Sequence, residues 1–173
     1  MTGGGMVADS KMNDGQSKTG LNEGILPVQE IRGAIESGMI SAATPITDAQ
    51  LQPASLDLRL GTRAWRVQSS FLPGAEMRVE DKLARVAMHQ IDLTNGAVLE
   101  RGCVYIVELQ ESLRLAAGLS AMANPKSSTG RLDIFTRLIV DQALEFEAVP
   151  DGYEGPLYAE ISPRTFSVLV RPG

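Results

Sequence analysis

The chain carries one cysteine and one histidine in 173 residues, Cys103 and His89. A lone thiol forms no internal disulfide, which fits a reducing compartment. A zinc nucleobase deaminase needs a His or Cys, a Glu and a Cys-x-x-Cys pair, and this chain has too few of either residue to supply them. A Ser-His-Asp triad has only His89 to draw on. That residue sits in "VAMHQID", and no Gly-x-Ser-x-Gly elbow occurs elsewhere. His89 reads as a structural or surface residue. There is no Gly-x-Gly-x-x-Gly, and "STGR" lacks the Gly-Lys-Ser/Thr end of a Walker loop. No apolar run reaches the roughly 18 residues of a membrane helix. The N-terminus lacks the apolar core of a secretion signal, so a cytoplasmic location is expected. Cations are the minority, 16 against 21 acidic residues, with a net charge of −5. That balance argues against general binding to nucleic acid or acidic membranes. Catalysis, if any, falls to carboxylates, hydroxyls, Lys or Arg, without a protein-bound metal and with Mg²⁺ carried by the substrate.

Hydrophobic residues make up 43% of the chain, enough for the core of one domain. Residues 1–24 are rich in Gly, Ser, Asn, Asp and Lys without apolar periodicity, and read as a disordered tail. "LPVQEIRGAIESG" follows as a helix. Pro27 suits its first turn, Val28, Ile31 and Ile35 share a face, and Gly38 can end it. The pattern then changes. "SLDLRLG" sets Leu56, Leu58 and Leu60 against Asp57 and Arg59, as a half-buried strand does. "RAWRVQ", "CVYIVELQESLRL", "LYAEIS" and "TFSVLVRPG" read as further strands between Gly and Pro turns. "TRLIVDQALEFEAV" fits helix or strand equally. Many short strands and one clear helix predict a mainly β domain over 25–173, a distorted barrel or jelly roll.

One segment invites a chemical reading. "NPKSSTGR" gathers Lys126, Ser127, Ser128, Thr129, Gly130 and Arg131. Hydroxyls and backbone N–H groups around a glycine make a concave donor site, and the two cations add charge-assisted bonds to phosphate. Loops of this composition are common, so the segment alone is weak evidence. Asp57 and Arg59 share the face opposite the leucines, either as a solvated ionic pair or as support for a site.

The order of three segments, "LQPASLDLRLG", "ANPKSSTGR" and "AVPDGYEGPLYAEI", resembles the trimeric dUTPase and dCTP deaminase superfamily. The family runs Pro-x-Ser-x-Asp-hydrophobic-Arg-hydrophobic-Gly, then Arg-Ser-Ser-x-x-Arg, then a Gly-aromatic-x-Gly turn. Lys126 stands where Arg is usual. The resemblance covers 25–173. It implies a dUTPase-like β-clip barrel, a homotrimer with active sites at subunit interfaces, and dCTP or dUTP as substrate. It puts Ser127, Ser128 and Arg131 on the phosphates with Lys126 nearby, and Tyr153 against the deoxyribose. Read without the family, Tyr153 is a half-buried turn aromatic.

The third motif separates two chemistries. In dUTPases an Asp three residues before the aromatic holds the attacking water. That position is Pro150 here, with Asp151 one step later as a stand-in within the substrate-binding set. In dCTP deaminases the base is a Glu five residues after the second glycine, which is Glu160. The resemblance therefore implies zinc-independent deamination with Glu160 as proton shuttle. A dUTPase, an enzyme taking dCTP to dUMP, and a non-catalytic barrel remain as alternatives. Deaminases carry a His-Arg-Ile-Asp-type run before the turn, and "FEAVPDG" replaces it. The chain also resembles the N-terminal half of tandem bacterial members. The ending "TFSVLVRPG" carries the expectation of a barrel truncated at its C-terminus, with an unpaired strand edge open to pseudo-trimeric assembly.

Overall fold

The alternating run "VYIVELQESLR" forms an eleven-residue strand, and the molecule is arranged about it. The computed structural model describes residues 2–8, by their backbone, and residues 24–173. In chain order the strands are β1 (Thr2–Ala8), β2 (Gly24–Ile25), β3 (Ile40–Ala42), β4 (Leu51–Gln52), β5 (Ser55–Asp57), β6 (Leu60–Val67) and β7 (Ala87–Asp92). They continue with β8 (Ala97–Leu99), β9 (Val104–Arg114), β10 (Ser120–Pro125), β11 (Ile134–Val140), β12 (Ala148–Val149), β13 (Glu154–Pro163) and β14 (Val168–Val170). The helices are α1 (Val28–Glu36), α2 (Val79–Val86) and α3 (Ser127–Arg131).

Two antiparallel sheets result. One runs β12-β10-β1-β5-β4 with β2 beside β1, and the other β11-β13-β9-β6-β7 with β3 beside β9. A separate ribbon pairs β14 with β8. This is the mainly β, jelly-roll-like fold the sequence predicts. The main core includes Leu58, Leu60, Val107, Leu138, Leu157 and Ala159. The other face of the β11-β13-β9-β6 sheet carries a second core of Trp65, Val67, Ile106, Ile139 and Tyr158.

The second core is closed by α2, which the sequence reading passes over. Val79 and Leu83, one turn apart, are its buried residues. Acidic Glu80 and Asp81 in the first turn, with Arg85 in the last, complement the helix dipole. The ambiguous stretch resolves as strand β11 followed by turns: "IFTRLIV" is rich in β-branched and aromatic residues, pairs along its whole length with β13, and buries Ile134, Thr136 and Leu138–Val140. The expected strands "SLDLRLG" and "RAWRVQ" divide differently, into β5 and a continuous β6. The expected helix stands as α1, with Ile31 and Ala34 as its buried residues.

The tail expectation needs correction at its start. Residues 2–8 form β1, which pairs with β10 from Thr2↔Pro125 to Val7↔Ser120 and with β5 at Gly3↔Asp57 and Gly4↔Leu56. Ladder bonds use only backbone groups, so a glycine-rich segment without apolar periodicity can still add to a sheet. Residues 9–23 of that tail lie outside the described residues. At the other end, only Val168–Val170 of "TFSVLVRPG" form a strand, paired to β8 on one side. Among the described residues, no helix is long and apolar enough to cross a membrane.

Candidate nucleotide site

Asp57, the last residue of β5, and Arg59, two residues on, have different partners. The Lys126 ammonium pairs with Asp57 Oδ2. The Arg59 backbone N–H donates to Glu111 Oε2 at 2.8 Å, and its Nε to Glu111 Oε1 at 2.9 Å. Glu111 is fully buried and also accepts from Gln50 Nε2 at 3.0 Å. The guanidinium further donates to the Thr44 carbonyl at 2.9 Å. A solvated Asp57–Arg59 pair is therefore not what the fold builds. Arg59 closes a buried network, and Asp57 holds the lysine that opens the second motif.

"NPKSSTGR" is not an open loop: Asn124 and Pro125 end β10, Lys126 is the N-cap, and Ser127–Arg131 form the short helix α3. Thr129 is buried and anchors it, while Ser127, Ser128, Gly130 and Arg131 are exposed. Ser127 and Arg131, four apart, share a side of the turn. These two and Ser128 make no side-chain hydrogen bond to other described residues, so their donors are available to an oxyanion. Asp133 follows at φ 53°, a conformation that short acidic side chains tolerate.

The turn before β13 is tightly built. Asp151 accepts from the Gly118 N–H at 2.6 Å. Tyr153 is buried, its hydroxyl donating to the Pro156 carbonyl at 2.7 Å and accepting from the Asp141 N–H at 3.2 Å. Burial pushes the phenol well above its usual range. Gly155 is required there, since a Cβ would fall 2.6 Å from that hydroxyl. Tyr153 thus folds back over its own turn, as a turn aromatic does. Pro150, Asp151 and Tyr153 line a cavity of about 460 Å³ with Arg78 and Asp141. Burial also raises the Asp141 carboxyl, whose Oδ1 accepts from the Val79 N–H at 2.8 Å.

Glu160 lies on β13, on the face of Tyr158, with Leu157 and Ala159 on the other, as the alternation predicts. It is 2% exposed. Directly opposite on β11 stands Arg137, whose Nη2 donates to Glu160 Oε1 at 2.9 Å and to Ser70 Oγ at 2.7 Å. The guanidinium carbon lies 3.5 Å from the Phe146 ring centroid and 4.9 Å from that of Phe135. Arg137 lines a cleft of about 690 Å³ with Phe135, Phe146 and Arg164, and the cleft reaches Gly130 of α3.

Within one chain, then, Glu160 stands behind a cleft bordered by the second motif. Asp151 and Tyr153 line a separate cavity. The sequence reading misses Arg137, whose one signal is a cation inside the apolar run "TRLIV". His89 is exposed on β7. Among the described residues no group of three His, Cys, Asp or Glu side chains is placed to hold a metal ion.

Three comparisons bear on this arrangement. A dCTP deaminase of Haloarcula marismortui is 29% identical over 128 residues, 73% of this chain and 63% of that protein. A "dCTP deaminase, dUMP-forming" of Beutenbergia cavernae is 27% identical over 150 residues, 86% of this chain and 74% of that protein. The crystal structure of 2'-deoxycytidine 5'-triphosphate deaminase from Agrobacterium tumefaciens superposes with a TM-score of 0.83 and 57% identity. That match covers 86% of this chain but 44% of the Agrobacterium chain, so the present sequence spans less than half of that protein's length. Residues 22–173, which hold the Ser-Ser helix, the glycine turn and Glu160, match one family throughout, and the chain belongs to the 2'-deoxycytidine 5'-triphosphate deaminase (DCD) N-terminal domain family.

Proposed function

We propose that this chain deaminates dCTP to dUTP by attack of water on C4 of cytosine, with Glu160 as proton shuttle. The carboxylate takes a proton from water as the C4–O bond forms. It passes that proton to the amino group as the C4–N bond breaks, and ammonia leaves. Ser127, Ser128 and Arg131 hold the triphosphate, with Lys126 beside them, and Mg²⁺ arrives with the nucleotide as part of the substrate. One observation carries the reading. Glu160 is buried and bonded to Arg137, which lines the cleft, with Oε1 held and Oε2 without a hydrogen-bond partner. The separation of Tyr153 and Asp151 from that cleft supports a site assembled from more than one subunit of a homotrimer or tandem assembly, in line with the resemblance.

A second reading, dCTP to dUMP, is favoured by the name of the Beutenbergia relative and by Asp151 beside the turn. Product analysis with dCTP and with dUTP separates the readings. Ammonia and dUTP from dCTP are expected. Pyrophosphate and dUMP would favour the second reading, and no turnover of either nucleotide would make the domain a non-catalytic barrel.

A further inference from the structure

Four buried side-chain atoms among the described residues have no hydrogen-bond partner: Thr136 Oγ1, Arg137 Nε, Glu160 Oε2 and Ser162 Oγ. Three of them share one face of the β11–β13 pair. Arg137 is opposite Glu160, and Ser162 follows Glu160 by two residues. Thr136 lies on the reverse face. A buried polar atom without a partner is destabilising, the more so if charged, so a cluster of them needs a reason.

The geometry of the pair supplies one. Arg and carboxylate groups commonly meet fork to fork, through two parallel N–H···O bonds. Here Arg137 and Glu160 share a single bond, Nη2 to Oε1 at 2.9 Å, although Nε and Oε2 are both buried and unused. The guanidinium is not free to rotate into the two-bond arrangement. Phe146 covers it at 3.5 Å, Phe135 flanks it at 4.9 Å, and Ser70 Oγ holds the same Nη2 at 2.7 Å. Stacking of this kind fixes the plane of an arginine as well as its position.

We propose that Arg137 is a positioning residue for Glu160. It fixes the carboxylate through Oε1 and so reserves Oε2 to receive the proton of the attacking water. The role rests on the deamination reading above. It adds that Arg137 acts through Glu160 rather than on the nucleotide, and that the Phe135–Phe146 clamp is what keeps the pair to one bond.

The test measures kcat and KM for dCTP in the wild-type chain, Arg137→Ala, Arg137→Lys, Glu160→Gln and the Arg137→Ala/Glu160→Gln double variant, with a thermal melt of each. Misplacement of a catalytic group by about 1 Å can cost on the order of 10²-fold in rate. Arg137→Ala should therefore lower kcat by roughly 10- to 100-fold, with KM within about threefold of wild type. Arg137→Lys keeps the charge but loses the planar clamp and should fall between Ala and wild type. The double variant should be no slower than Glu160→Gln alone, because the arginine has nothing left to position.

A wild-type chain that releases no ammonia removes the underlying reading before any variant is made. An active wild type with kcat of Arg137→Ala within about threefold of it overturns the arginine's role alone. So do additive losses in the double variant, or a rise in KM that accounts for the whole effect. If Arg137→Ala does not melt cooperatively, Arg137→Lys decides, and wild-type kcat in that variant is the contrary result.

Discussion

At the scale of single residues, charged side chains of similar appearance in the sequence have separate surroundings. Glu111 and Glu160 are both buried carboxylates on central strands, each beside an arginine. Glu111 has both oxygens occupied, by Arg59 and Gln50, as a structural carboxylate should. Glu160 keeps one oxygen without a partner. Glu160→Gln is therefore expected to remove deamination by a factor of roughly 10² to 10⁴, with triphosphate binding nearly unchanged. Stopped assays for ammonia and equilibrium binding of dCTP check the two halves of that statement, and an unaltered rate would mean the wrong carboxylate. Arg131 is exposed on α3 and makes no side-chain bond to other described residues. Arg131→Ala should weaken dCTP binding by roughly 1.5–3 kcal/mol per charged hydrogen bond lost, and leave deoxycytidine binding alone. Equal weakening of nucleotide and nucleoside in calorimetric titrations would point to damaged folding instead.

At the scale of elements, one close approach and one hydrogen-bonded junction can be tested. Gly61 is the second residue of β6, where the pairing with β9 is irregular between Leu60 and Ala64. A Cβ at Gly61 would lie 2.8 Å from the Glu108 carbonyl oxygen, and neither backbone can yield cheaply. Gly61→Ala should destabilise the domain by about 1–3 kcal/mol, the usual range for overpacking. The urea midpoint reads it, and an unshifted midpoint would mean that the strands slide apart freely. The junction of α2 with β11 depends on Asp141, which caps Val79. Burial raises the Asp141 pKa, so the folded chain binds that proton more tightly than the unfolded chain. Its favourable contribution is full below the unfolded value, about 3.9, and is lost as pH rises through the raised folded value. Asp141→Asn keeps an acceptor for Val79 and has no proton to lose. The melting temperature of Asp141→Asn minus that of wild type should therefore grow from about pH 4 to pH 7, and a constant difference would contradict the assignment.

At the scale of the whole molecule, no set of three potential metal ligands comes together among the described residues. Deamination is expected to survive a zinc-selective chelator and to require Mg²⁺ as the nucleotide's counter-ion. Stoichiometric zinc that leaves together with activity, followed by elemental analysis, would oppose this. Much of the architecture was legible beforehand. Period-two alternation marked β5 and β9, and helical spacing marked α1, because burial on one face leaves a local trace; β13 showed as a short run between turn residues. The two-residue period of a strand also predicted the opposite faces of Leu157 and Glu160. The sequence by itself determined the mainly β class, helix α1, and the three motifs that align with the family, since each resides in a short run of neighbours.

What the tertiary structure decided lies in pairs distant along the chain. It set Arg137 against Glu160, 23 residues apart, and Arg59 against Glu111, 52 apart. It turned "TRLIV" into strand, brought residues 2–8 between β5 and β10, and separated Tyr153 from the cleft at Arg137. The physical reason is common to all of these. Strand register places residues opposite one another according to how whole strands pair, and a side chain's partner across a sheet leaves no mark on the residues beside it in sequence.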